Sequence, residues 1–124
     1  RDQRSSIGKA IGSRNPKVLA VLRDMYANVE QPLDMTELAA RARVSRRQLE
    51  RQFKLLLGET PSTTYRNIRL DRARALLVET DLPLIDVAMA TGFNSQNVFS
   101  RHFRSRFGMS PSGQRSITRR PREE

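Results

Sequence analysis

Apolar residues recur every three or four positions along most of the chain, and polar residues fill the positions between them. The clearest example is the series Phe99, Phe103 and Phe107, whose spacing places all three rings on one side of a helix. Leu49 and Phe53 form a shorter series of the same kind. Since no segment shows a convincing strand-like alternation, the pattern predicts an all-α chain of about seven helices.

Capping residues predict where these helices begin and end. Asn15-Pro16 predicts the start of the first helix, because Asn is a good N-cap and Pro is tolerated in the first turn. Pro32 predicts its end. Asp34 followed by Glu37, and Ser45 followed by Gln48, have the form of capping boxes. Further helices are expected to begin at Thr60-Pro61, Pro83, Ser95 and Ser110-Pro111, with stops at Gly58, Gly92 and Gly108.

One helix is expected to be longer than the others, from Pro61 to about Thr80. Its apolar residues cover a wide arc, which predicts burial against two neighbours instead of one. The residues of this arc are Tyr65, Ile68, Leu70, Ala73, Leu76 and Leu77.

Composition and charge narrow the chemistry open to the chain. The 124 residues include no Cys and a single His, which excludes disulfides, thiolate catalysis and the usual zinc motifs. No apolar run approaches the roughly 18 residues of a membrane span. There are 23 Lys and Arg against 13 Asp and Glu, and the resulting net charge of +10 favours a polyanionic partner.

The basic residues are concentrated in two segments. Glu50 is the one acid within residues 41–54, and no acid lies between Asp86 and Glu123. A solvated surface would explain a single segment of this kind, whereas two in equivalent positions favour nucleic acid. Their basic residues are Arg41, Arg43, Arg46, Arg47, Arg51 and Lys54 in the first, and Arg101, Arg104, Arg106, Arg115, Arg119, Arg120 and Arg122 in the second.

Residues 36–61 and 85–111 form an internal repeat. The offset between matched residues is 49 before a turn and 50 after it, which places one extra residue within Gly92-Phe93-Asn94. The matched pairs are Leu38 with Val87, Ala39 with Ala88, Ser45 with Ser95, Leu49 with Phe99, Arg51 with Arg101, Phe53 with Phe103, Leu57 with Phe107, Gly58 with Gly108, and Pro61 with Pro111.

This repeat predicts a duplicated helix–turn–helix. In each copy a short helix with a small residue is followed by a tight turn and a second helix, which has one apolar stripe and a face rich in Arg, Gln and Asn. Such a face is typical of a helix that enters the major groove of DNA. Two ordinary helical hairpins with solvated faces are the alternative, and two matched basic faces disfavour it.

The sequence resembles the AraC-type (AraC/XylS) family of bacterial transcription regulators over residues 16–117. Leu38-Ala39 and Arg69-Leu70 support the resemblance. Its strongest signature includes Gly92-Phe93-Asn94-Ser95-Gln96, Phe99-Ser100-Arg101-His102-Phe103-Arg104 and Phe107-Gly108-Met109-Ser110-Pro111. Residues 15–32 are similar to a subgroup whose N-terminal half is a glutamine-amidotransferase-like sensor. Because the chain begins with Arg, we expect it to be part of a longer protein.

The resemblance implies an all-α C-terminal DNA-binding domain with two helix–turn–helix subdomains joined by a long linker helix. The expected divisions are an arm at 1–14, subdomains at 15–60 and 81–117, a connecting helix at 61–80 and a tail at 118–124. Recognition helices 45–57 and 95–107 would enter successive major grooves, which lie about 34 Å apart along the duplex.

The resemblance also indicates which side chains would contact DNA. Arg can pair with guanine, Gln and Asn with adenine, Glu with cytosine, and Val with a thymine methyl. Glu50 would alternatively pair with a basic neighbour on its own helix. Base contacts are expected from Arg47, Glu50, Arg51, Gln96, Asn97, Val98, Ser100 and Arg101. Phosphate contacts are expected from Arg46, Lys54, Thr60, Ser62, Thr63, His102, Arg104, Ser110 and Ser112, some of them through helix N-termini.

The expected partner is therefore double-stranded promoter DNA in the bacterial cytoplasm. RNA polymerase and an N-terminal sensor domain would be further partners of the full protein, with activation as one outcome. No enzyme activity is expected, because no catalytic constellation is present. No membrane partner is expected, because the helices use their apolar faces for a core, and neither a cofactor nor a metal is expected. The alternative functions are a basic helical RNA-binding module, which would be expected to expose aromatic residues for stacking, and a protein-interaction module.

Overall fold

The computed structural model describes residues 15–119, which form seven α-helices and no strand. The prediction of an all-α fold is thus confirmed. The predicted arm at 1–14 and residues 120–124 of the predicted tail lie outside the described residues. Along residues 15–119, no helix is both long enough and apolar enough to cross a lipid bilayer. The helices are α1 (Pro16–Ala27), α2 (Met35–Ala42), α3 (Arg46–Leu57), α4 (Pro61–Glu79), α5 (Leu84–Ala90), α6 (Gln96–Phe107) and α7 (Pro111–Arg119).

The helices begin where the capping residues predict. The side chain of Asn15 accepts hydrogen bonds from the backbone N–H groups of the first turn of α1. Ser45 and Gln48 form a reciprocal capping box at α3, and Ser95 caps α6. Gly58 and Gly108 end these two helices in the left-handed conformation, with φ of 76° and 79°, a region that L side chains rarely adopt.

Two helix ends differ from the predictions. α1 stops at Ala27, well before Pro32, because Asn28 closes it: its side chain donates to the carbonyl of Asp24 and its backbone N–H to that of Met25. At the other end of the chain, α7 continues to Arg119, past the expected start of the tail. Arg119 holds this last turn by donating to the Thr80 carbonyl and pairing with a carboxylate.

The chain divides into two compact units. Within the described residues, the first comprises 15–28 and 32–65, and the second comprises 66–119 together with 29–31. The boundary falls inside α4, so the first turn of this helix belongs to one unit and the rest to the other.

In the first unit, α1 packs against α2 and α3 around a small apolar core. The stripe of α3 supplies the core residues Leu49 and Phe53, as the sequence predicts. The other buried apolar residues are Val18, Val21, Leu22, Met25, Leu38, Ala39, Ala42 and Tyr65.

The second unit is built on the same plan, with a core in which phenylalanine is prominent. Phe93, Phe99 and Phe103 pack in series in tilted and edge-on arrangements, with ring centroids 5.4 and 5.7 Å apart. Rings at such spacings contribute about 0.5–1.5 kcal/mol per pair beyond their buried area. The remaining core residues are Leu70, Ala73, Leu77, Val87 and Ala88.

The turns of the two helix–turn–helix copies have matching hydrogen bonds. The Val44 N–H donates to the Ala39 carbonyl at 3.1 Å, and the Phe93 N–H donates to the Ala88 carbonyl at 2.9 Å. Each donor follows a residue with positive φ, Arg43 at 60° in the first copy and glycine at 85° in the second. These matches leave Asn94 as the extra residue of the second turn.

The repeat also includes a helix before each helix–turn–helix, an extension that the sequence pattern did not predict. Asn28 donates its side-chain hydrogen bond to the carbonyl four residues earlier, and so does Thr80 at the end of α4. The two helices also share the spacing of their fully buried apolar residues, which are Val18, Val21 and Met25 in α1, and Leu70, Ala73 and Leu77 in α4.

A further helix follows each helix–turn–helix copy and is bonded to a loop at the start of that copy; we call it the closing element of the unit. The Tyr65 hydroxyl accepts from the Leu33 N–H and donates to the Asn28 carbonyl, and so ties α4 to the loop after α1. Arg115 on α7 does the same for the loop after α4, donating to the carbonyls of Thr80 and Leu82. The fold is therefore two four-element units that share α4. The wide apolar arc of α4 therefore consists of two buried faces, which follow one another along the helix.

Candidate nucleic-acid interface

The exposed face of α3 is basic. Leu49 and Phe53 turn into the core, which leaves the other side of the helix to solvent. Within residues 15–119, Glu50 forms no ion pair with a basic neighbour on its helix, so its carboxylate faces solvent as an acceptor. The exposed residues among those predicted to contact DNA are Arg46, Arg47, Glu50, Arg51 and Lys54.

The exposed face of α6 repeats this arrangement with different side chains. Arg101 is exposed as Arg51 is, and it stands between buried Phe99 and Phe103 as Arg51 stands between Leu49 and Phe53. Gln96, Asn97 and Arg104 are exposed with it.

Three predicted contact residues of α6 are half-buried. Val98 packs against the core of the second unit, which limits how much of its side chain can reach a base. Ser100 lies at the edge of the exposed face. His102 packs beside Phe93, with ring centroids 6.3 Å apart. Burial lowers the pKa of His102, and the positive charges of Arg66, Arg101 and Arg69 lower it further.

The predicted anion sites at the starts of α4 and α7 are partly occupied by the chain itself. The Thr60 hydroxyl accepts the N–H of Thr63, and the Ser110 hydroxyl accepts the N–H of Gly113. These hydroxyls serve as N-caps. Thr60, Ser62 and Ser112 are exposed, whereas Thr63 and Ser110 are half-buried.

Several basic residues of the two charged segments bind within the protein. Arg106 pairs side-on with Asp71, through hydrogen bonds of 2.9 and 3.1 Å. Arg115 and Arg119 hold the loop after α4. In the first segment, Arg41 pairs with Glu37 and Asp24, and the hydrogen bond to Glu37 is the main cause that raises its pKa. The charge of each segment thus overstates the number of cations facing outward.

A basic side chain from the preceding helix holds each turn. The Lys17 ammonium donates to the Arg43 carbonyl at 3.4 Å in the first unit. In the second, the Arg69 guanidinium donates to the carbonyls of Thr91 and Gly92 and lies 4.3 Å from the centre of the Phe93 ring. Neither role was predicted from the sequence. The one signal there is the similarity of residues 14–18 (RNPKV) to residues 66–70 (RNIRL).

Comparison with known proteins agrees with this geometry. A family model described as a helix-turn-helix domain matches residues 38–116. A crystal structure of a transcriptional regulator with an AraC-type DNA-binding domain, from Chromobacterium violaceum, is 39% identical and superposes with a TM-score of 0.83. The alignment covers 90% of this chain and 99% of that one. The chain belongs to the AraC-type family of helix-turn-helix DNA-binding domains.

Two further relatives place this AraC-type domain among regulators. The transcriptional regulator CdhR of Pseudomonas aeruginosa is 45% identical over 115 residues, which are 93% of this chain and 34% of that protein. The DNA-binding domain of the transcriptional factor AdpA, solved with a target DNA, is 32% identical with a TM-score of 0.78. That alignment covers 82% of this chain and 92% of the other.

Sequence-specific DNA binding, which the sequence predicts, is confirmed as the function of this AraC-type domain. The chain spans about a third of the length of curated relatives that it matches.

Proposed function

We propose that the exposed faces of α3 and α6 read two short DNA motifs by entering successive major grooves. The observation that carries this proposal is the repeated arrangement of Arg51 and Arg101, each exposed on a capped helix between two buried side chains. A helix anchored in this way holds its outward side chains in fixed directions, which base recognition requires.

The side chains of each face determine which bases it would prefer. Arg51 and Arg101 can each donate two hydrogen bonds to one guanine, while Gln96 and Asn97 suit adenine. Glu50 can accept from cytosine. Because a carboxylate near phosphates weakens binding, an exposed Glu in this position favours selective recognition. Arg47, Val98 and Ser100 complete the proposed base-reading set.

The same proposal assigns a set of residues to the DNA backbone. Phosphate contacts carry no sequence information and fix the register of the helices in the grooves. The proposed residues are Arg46, Lys54, Thr60, Ser62, Thr63, His102, Arg104, Ser110 and Ser112.

Selection of binding sites from random duplex DNA tests this function. We expect two short motifs about 10–10.5 base pairs apart, centre to centre, on one face of the duplex. Footprinting of the selected site should show protection in both major grooves. Selection of a single motif, or of no motif, would contradict the two-helix proposal. Competition with structured RNA separates this function from RNA binding, which would predict that the RNA competes as well as the duplex.

The full-length protein would act as a regulator in the bacterial cytoplasm, where its DNA target lies. We propose that a sensor domain resembling glutamine amidotransferases precedes this DNA-binding domain, since the matched relatives are about three times as long. Activation through contact with RNA polymerase is the proposed outcome. We propose no catalytic activity and no cofactor for the domain itself.

A further inference from the structure

A cluster of three arginines and one histidine lies beside the exposed face of α6. It is built from two elements of the second unit, with Arg66 and Arg69 on α4, and Arg101 and His102 on α6. All three guanidinium groups are close enough for their charges to act on the imidazole of His102. No carboxylate of the described residues contributes to the interactions resolved there.

Arg69 fixes the geometry of this cluster. It is held by two carbonyls of the turn and by the Phe93 ring, and His102 packs beside the same ring. Arg66 precedes Arg69 by three residues on α4, so the two side chains share one face of the helix. Arg66 therefore lies one turn before Arg69 on the face of α4 from which Arg69 reaches the turn and the Phe93 ring.

Arg66 lacks the internal partners that several other basic residues of this unit have. Arg106, Arg115 and Arg119 have acidic or carbonyl partners. Arg66 is half-buried, and among residues 15–119 it has neither an ion pair nor a hydrogen-bonded acceptor. Like charges gathered at a partly buried site oppose one another, and an anion bound among them would remove the repulsion.

We infer that Arg66 and His102 together bind one phosphate of the DNA backbone, next to the base contacted by Arg101. This inference rests on the proposed function of α6. It adds a residue of the connecting helix to the interface, and it would fix the position of α6 along its groove. The ligand is a backbone phosphodiester, which presents the anionic oxygens that a guanidinium group binds well.

The test compares Arg66→Gln with Arg72→Gln in the full 124-residue chain. Arg72 is exposed on the same helix and has no assigned role, so both variants lose one charge from α4. Binding to a selected site and to random duplex is measured across a range of salt concentrations. For Arg66→Gln we expect about tenfold weaker binding to both DNAs and a salt slope shallower by about 0.9. Arg72→Gln should match the wild type, and Arg66→Lys should restore the slope.

The outcomes separate this inference from the proposed function. If wild-type chain selects its site and Arg66→Gln keeps the wild-type slope, the phosphate site is wrong while the function stands. Equal losses in Arg66→Gln and Arg72→Gln would also overturn it, because they would indicate only an effect of net charge. Wild-type chain that binds no duplex would overturn both. Thermal unfolding of each variant establishes that the fold is intact.

Discussion

Single capping residues determine where α3 and α6 begin and end. Ser45, Ser95, Gly58 and Gly108 cap helices as predicted, because capping depends on neighbours within four positions of the chain. Partners that are distant in sequence could not be predicted in this way. The hydrogen bonds of Arg69 cross more than twenty residues, and its position on a helix does not reveal them. The roles of the DNA-contacting residues stay predictions.

Replacement of Arg101 by Ala should reduce specific binding. We expect a loss of about 1–3 kcal/mol on the selected site and relaxed preference at one base pair, because a two-bond contact to guanine disappears. Arg104→Ala is the matched control, since its proposed partner is a phosphate: it should weaken binding to selected and random DNA alike. Binding titrations on both DNAs measure the difference. Uniform loss in Arg101→Ala would exclude base reading by this residue.

Arg43 is strained, and glycine should relieve the strain. Its φ of 60° is unfavourable for a residue with a Cβ atom, whereas Gly92 adopts the matching conformation freely. We expect Arg43→Gly to stabilise the chain by up to about 1 kcal/mol and Gly92→Ala to destabilise it by about 1 kcal/mol. Urea denaturation measures both. A destabilised Arg43→Gly would mean that the arginine side chain contributes more than its backbone conformation costs.

At the scale of elements, the two helix–turn–helix motifs were predictable and the units that contain them were not. The motifs carry distinctive residues in register, such as Phe53 with Phe103 and Pro61 with Pro111. The preceding helices match only by aliphatic residues at spacings that many helices share, as in Val18 with Leu70. Changes in loop length also alter the offset between the copies, which conceals the match in the sequence.

The closing elements of the two units should contribute comparable stability. Tyr65→Phe removes the hydrogen bonds to Asn28 and Leu33, and Arg115→Ala removes those to the loop after α4. We expect each variant to lose about 1–3 kcal/mol, since carbonyl groups lose their donors and, in Tyr65→Phe, the Leu33 N–H also loses its acceptor. Denaturant unfolding measures the loss. Arg115→Ala should retain the wild-type salt dependence of DNA binding; a shallower slope would show that Arg115 contacts DNA.

At the scale of the whole molecule, net charge indicated the class of partner correctly. It overstated the number of basic residues that are free to face that partner. Of the basic residues in the two charged segments, Arg41, Arg106 and Arg119 are paired with carboxylates within the chain. Sequence could not separate these from outward-facing cations, because both kinds follow the same helical spacing. Composition therefore predicts the sign of the partner's charge better than it predicts the number of contacts.

DNA binding should weaken steeply as salt is added. Arg46, Lys54 and Arg104 alone would release enough counterions for a slope of log K against log salt of about −3. Additional contacts would make it steeper. Filter binding or fluorescence anisotropy between about 50 and 200 mM salt measures the slope. A flat response would reject an electrostatic contribution from these residues.

The sharing of α4 has a consequence for anyone who wishes to dissect this domain. A fragment that ends before Pro61 loses Tyr65, whose hydroxyl holds the loop after α1. A fragment that starts after Tyr65 begins inside α4, so this helix lacks its first turn and its N-cap. Each unit therefore depends on a part of the same continuous helix, α4. Either unit expressed alone would be incomplete. The two units are therefore expected to be inherited, and best engineered, together.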